Sequence, residues 1–155
     1  MKSMDTLTAE DKNTLYALPF YVATLIASAD GRVDELEIKR AVAVTNQQAE
    51  KETYPALTEF YDEVNQDFED KLKIVIASSP NKPYERNMYL SKKIADANPV
   101  LQKIDPLFAT KLHSSLRNLA KEIAKASGGI LGYGSIGNEE SKLVELNFLD
   151  LPSAH

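Results

Sequence analysis

Residues 25–42 read LIASADGRVDELEIKRAV, and this stretch decides the fold class. Upstream of it, Leu15, Leu18, Val22, Leu25, Ile26 and Ala29 recur at helical spacing and mark a buried stripe. Gly31 ends that helix and Arg32-Val33 form a short bridge. Asp34 is the expected N-cap of the next helix, with Glu37 at the third helical position and Val33 facing Ile38 as a hydrophobic staple. Two helices joined by a capped acidic turn are therefore expected here.

The same grammar continues in both directions. Thr8 is placed to cap the first helix, with Asp11 three residues on completing a box-like signal. Pro19 either kinks one long helix or starts a second, because it has no N–H to donate. The helix after Asp34 carries Ile38, Ala41, Val42 and Thr45 on one side and is expected to fade near Asn46-Gln47-Gln48. Further helices are read from Leu57, Phe60, Tyr61 and Val64; from Phe68, Leu72, Val75 and Ile76; and from Tyr84, Met88, Leu90 and Ile94 behind Pro83. Asn98-Pro99 separates these from Leu112, Leu116, Leu119 and Ile123, and a last helix is expected from Glu139 to Leu149. No stretch alternates as a strand must. The fold class is all-α, a compact multi-helix bundle, with 1–155 as one domain.

Composition narrows the function. The 155 residues are 43% hydrophobic, enough apolar material to offset chain ordering. A formal charge of −5 argues against a general nucleic-acid binder, and lysines such as Lys39, Lys73, Lys92 and Lys121 are interleaved with acids. Cysteine is absent, which removes disulfides, thiolate nucleophiles and cysteine metal sites. The N-terminal stretch carries charges where a signal peptide needs an apolar core, and no segment has the roughly 20 apolar residues of a membrane helix. Cytoplasmic residence is the expectation, with peripheral membrane association left open.

The helix-turn-helix unit is used twice. Residues 26–31, IASADG, resemble 123–128, IAKASG, and 32–37, RVDELE, resemble 135–140, SIGNEE. Between the halves of the second copy lies the glycine-rich insertion Gly129 to Gly134. The branched residues Val33 and Ile136 would plug the core at each junction.

Acidic groups at such a turn have two readings. Gly31, Val33, Asp34 and Glu37 match the later positions of an EF-hand loop, but its first ligand position would fall on Ile26, which cannot ligate. A different oxygen site could gather Asp30, Asp34 and Glu37 around a divalent metal cation, joined by Glu140 if the two copies pack face to face. A basic protein surface could supply the positive group instead. The alternative is capping alone, since Asp34 and Glu37 suit the positive end of a helix dipole.

Other candidates are sparse. His113 reads as a half-buried structural histidine, His155 as a disordered end, and Ser114 and Ser115 have no Ser-His-Asp arrangement in sequence. There is no His-Glu-x-x-His and no phosphate-binding loop. Ile130, Leu131 and Tyr133 in the insertion either fold back onto the bundle or dock another protein.

The acidic motif resembles that of the TerB-like tellurite-resistance family, including its relatives fused to membrane-anchored DnaJ-type co-chaperones. Asp30, Gly31, Val33 and Glu37 match in order, and Gly128, Ile136 and Glu140 match the family's late repeat, while Ser127 and the insertion depart from it. The resemblance spans roughly residues 12 to 150, an ordinary extent for one domain. It implies a helical bundle with a metal-binding acidic surface and a place in stress-related assemblies. The leading expectation is thus a non-enzymatic binding module. A carboxylate-metal hydrolase and a structural adaptor docking through the glycine-rich loop are the alternatives.

Overall fold

The computed structural model describes residues 4–28 and 33–127, and within them the chain is all-α. The elements are α1 (Ala9–Ala27), α2 (Glu35–Lys51), α3 (Pro55–Val64), α4 (Phe68–Ser78), α5 (Pro83–Ala95), the single turn α6 (Asn98–Leu101) and α7 (Pro106–Ser127).

Helix α1 is the centre of the bundle and touches each of the other six. Its second half is buried from Leu18 to Ala27 except at half-buried Tyr21, as expected of a helix apolar nearly all round. Pro19 neither starts a second helix nor ends the first; α1 runs through it. Thr24 and Ser28, polar and buried, donate their hydroxyls to the Phe20 and Thr24 carbonyls at 2.8 and 2.5 Å. Polar side chains in this core thus satisfy themselves along their own helix. At the N-terminus, Thr8 Oγ1 accepts from the Asp11 amide at 3.0 Å. The Asp11 carboxylate is bound to Lys103, 2.8 Å away, so the expected box becomes a cap plus a bridge to the turn between α6 and α7.

Helix α2 continues to Lys51, beyond the expected fade at Asn46-Gln47-Gln48. The reason is tertiary: Thr45 and Gln48 are buried, and packing overrides weak helix propensity. Helix α3 opens with Pro55 in its first turn and buries Leu57, Phe60, Tyr61 and Val64 as spaced. Asp67 enters α4 in the left-handed region, φ 56° and ψ 36°, where aspartate is among the tolerated residues. In α5 the buried stripe is Arg86, Leu90 and Ile94, whereas Tyr84 and Met88 are exposed. Asn98-Pro99 lies between α5 and α7, as expected, and opens the single turn α6 there. The stripe on α7 is as expected, with Leu112, Leu116, Leu119 and Ile123 in the core.

Aromatic rings tie α1 to its neighbours. Tyr16 lies 5.4 Å from Phe60, which meets Tyr61 edge-on, and Phe20 stacks on Phe68 at 4.7 Å. In the repeated unit, Ile123 and Ala124 are buried near the end of α7 as Ile26 and Ala27 are at the end of α1. The remainder of the second copy, the insertion at 129–134 and the expected helix from Glu139 lie outside the described residues. Among the described residues no helix is long and apolar enough to cross a membrane.

Candidate functional site

The acidic turn is built by α2's own first turn. Asp34 Oδ1 accepts from the Glu37 amide at 2.8 Å, and Glu37 Oε1 accepts from the Asp34 amide at 3.2 Å. This reciprocal box fixes both carboxylates against backbone donors that would otherwise face water. Val33, half-buried, packs against the core cluster that contains Ile38, as a staple requires. Glu35 projects outward and reaches Lys73 of α4 at 3.7 Å, while Leu36 beside it is 55% exposed. Lys73 also bonds Glu69 at 3.1 Å, and these two acids hold its ammonium above the usual lysine range, Glu69 first.

Of the four expected metal ligands, the structure thus brings Asp34 and Glu37 together as capping partners. Asp30 and Glu140 lie outside the described residues. Ile26, at the position where an EF-hand would need its first ligand, is buried within α1. Among the described residues no group of three or more histidine, aspartate or glutamate side chains is arranged to hold a metal ion.

A second constellation was not anticipated from the sequence. On the seam where α2 meets α3 and α7, Ser115 donates its hydroxyl to Glu52 Oε2 at 2.5 Å. Its single proton being committed, Ser115 Oγ accepts from the Tyr61 hydroxyl at 2.8 Å and from Gln48 Nε2 at 3.0 Å. Gln48 Nε2 also donates to Glu52 Oε2 at 2.6 Å, and Gln48 Oε1 accepts from Asn118 at 2.6 Å. A hydroxyl with three partners has no lone pair left to aim at a substrate carbonyl, so Ser115 is a structural linker rather than a nucleophile. Adjacent Ser114 is exposed and His113 half-buried.

The signal was in the spacing. Ile38, Ala41, Thr45, Gln48 and Glu52 fall on one helical stripe, and its last three members are polar. Polar residues on a buried stripe ask for partners. Ser115 answers from among Phe108, Leu112 and Leu119 on α7.

Tyr61 gives this seam a pH signature. Burial pushes its hydroxyl well above the usual tyrosine range; the Ser115 hydrogen bond opposes this and the Glu52 charge adds to it. In the unfolded chain the same group ionises near pH 10. Its contribution is therefore whole below about pH 10 and declines above it, by at most about 1.4 kcal/mol per pH unit. Urea denaturation of the native chain and Tyr61→Phe, compared across that range, should give a shallower alkaline decline for the variant. Parallel slopes would mean that Tyr61 ionises in the folded state.

Beside the seam lies a cleft of about 480 Å³, floored by Gln48, Glu52 and Ser115 and bordered by Lys51, Tyr54 and Lys111. Lys111 sits over the Tyr54 ring at 5.2 Å. Comparison with protein-family models, with curated proteins and with solved structures found no significant match.

Proposed function

We propose that this chain is a binding module rather than an enzyme, and that its acidic turn takes up a positive group from a divalent cation or a basic protein surface. The observation that carries this reading is the capping box at the start of α2. It holds Asp34 and Glu37 in fixed positions at an exposed corner, with Glu35 alongside. A carboxylate already oriented loses little freedom when a cation or ammonium arrives. Asp34 Oδ2 accepts no hydrogen bond among the described residues, which leaves it open to such a partner. Exposed Leu36 between Glu35 and Glu37 favours a basic protein segment that also offers an apolar contact. In the metal version, Asp30 and Glu140 complete the ligand set, as the TerB-like resemblance implies, and the setting is a stress-related assembly.

The test is a titration followed by heteronuclear NMR. Calcium, magnesium and a lysine-rich peptide are added separately to the native chain, Asp30→Asn and Glu37→Gln. The expected result is a saturable shift of amides from Val33 to Ile38 that Asp30→Asn weakens. Glu37→Gln is the less clean control, because losing a cap costs about 0.5–2 kcal/mol by itself. Unchanged spectra in millimolar cation remove the metal version, and unchanged spectra with the peptide as well remove the reading altogether.

A further inference from the structure

The cleft against α7 is built more elaborately than a gap between helices requires. Its floor contains Gln48 and Ser115, each more than nine-tenths buried, and both are used to hold Glu52. Glu52 stands at the C-terminal cap of α2 and is half-buried. Both side-chain hydrogen bonds that its carboxylate receives end on Oε2, and Oε1 receives none among the described residues. One oxygen is thus pinned so that the other has a defined direction.

The rim carries the opposite charge. Lys51 and Lys111 both line the cleft, and neither pairs with a carboxylate among the described residues. Lys111 instead rests over the Tyr54 ring, which restricts where its ammonium points. Leu57 and Leu107 add apolar wall to the Tyr54 face. A volume of about 480 Å³ lies in the range of small-ligand pockets, and the lining is mostly polar, with its apolar part confined to Tyr54, Leu57 and Leu107.

The charges select the ligand. A simple anion drawn to Lys51 and Lys111 would meet the carboxylate of Glu52, and a simple cation drawn to Glu52 would meet two ammoniums. A molecule carrying both signs, separated by a short carbon frame, meets neither conflict. We propose that this cleft binds a small zwitterion, a free amino acid or short peptide, whose ammonium bonds Glu52 Oε1 and whose carboxylate lies between Lys51 and Lys111. The side chain of the ligand rests on Tyr54 and Leu107, so an apolar side chain is preferred.

Leucine and the dipeptide Leu-Gly are the probes, added to the full chain at millimolar concentration and followed by heteronuclear NMR. N-acetyl-leucine and leucine amide, each lacking one charge, are the paired controls. The expected result is saturable shifts confined to amides 48–57 and 107–118. Each control should bind at least about tenfold more weakly, a loss of roughly 1.4 kcal/mol. Leucine binding tighter than Leu-Gly assigns the site to free amino acids, and the reverse order assigns it to peptides. Glu52→Gln keeps the side chain's shape and should lose the ammonium preference, so that leucine and N-acetyl-leucine bind alike. Should Glu52→Gln fail to fold, Lys51→Ala and Lys111→Ala at the rim carry the same test through the carboxylate. No shifts with either probe, or controls that bind as well as leucine, overturn the proposal.

Discussion

Replacing Phe108 by alanine should lower the stability of the chain by about 3–5 kcal/mol. Phe108 has no exposed surface and lies in the first turn of α7. Its ring stacks on Tyr54 at 6.4 Å with the planes 23° apart. It also borders a small cavity of about 130 Å³ with Met4, Tyr16, Ala56 and Phe60. Truncation would join the lost ring volume to that existing space, and a deletion of this size leaves a void that the surroundings refill only in part. The start of α7 would survive the change, because Asp105 Oδ2 accepts from the Phe108 backbone amide at 3.1 Å and alanine keeps that donor. Urea denaturation measures the difference, with Phe108→Leu expected to recover more than half. Against a total of roughly 5–15 kcal/mol for a domain, the alanine variant would sit near the edge of folding. A loss below about 1 kcal/mol would mean that the site collapses around the vacancy.

Arg86→Met is expected to cost about 3 kcal/mol, although it exchanges a charge for an apolar side chain at a site only 6% exposed. The guanidinium donates from Nη2 to the Ser28 carbonyl and from Nη1 to the Asn81 carbonyl, both at 3.0 Å. Ser28 is the C-terminal cap of α1, where carbonyls run out of helical donors. Methionine leaves the buried Ser28 carbonyl unanswered and frees that of exposed Asn81, so the turn before α5 loses its tie to the end of α1. Arg86→Lys should recover little, since one ammonium cannot reproduce a planar fork across two carbonyls. Because the acidic turn follows Ser28 directly, amide exchange from Val33 to Ile38 should quicken in Arg86→Met. Native-like exchange there, with only global stability lowered, would separate Arg86 from the turn.

What was legible in the sequence was local. The Asp34–Glu37 box, the Pro55 and Pro83 starts and the stripe from Leu112 to Ile123 each depend on residues within a few turns of one another. Pro19 misleads only in appearance: a helix packed against six others has neighbours to hold it together where one internal hydrogen bond is lost. What escaped was long-range. Gln48 looks like the end of α2 until Ser115, 67 residues away, gives it a partner. Tyr84 and Met88 read as apolar face, yet α5 turns its other side to α1, with an arginine where a leucine would be expected. Of the candidate metal ligands, the sequence made the capping roles of Asp34 and Glu37 readable; the cleft stayed hidden because its parts come from α2, the turn into α3 and α7.

The seam joining Gln48, Tyr61 and Ser115 also limits how the helices can be arranged. Leucines along a helix pair are nearly interchangeable, so a purely aliphatic seam would accept α2 displaced along α7 by one turn, about 5.4 Å. Hydrogen-bonding groups matched one to one cannot be re-paired after such a slip; each would face hydrocarbon. The polar seam therefore acts as a key that admits a single axial setting of α2 against α7, and with it a single placing of the Asp34 corner relative to α7.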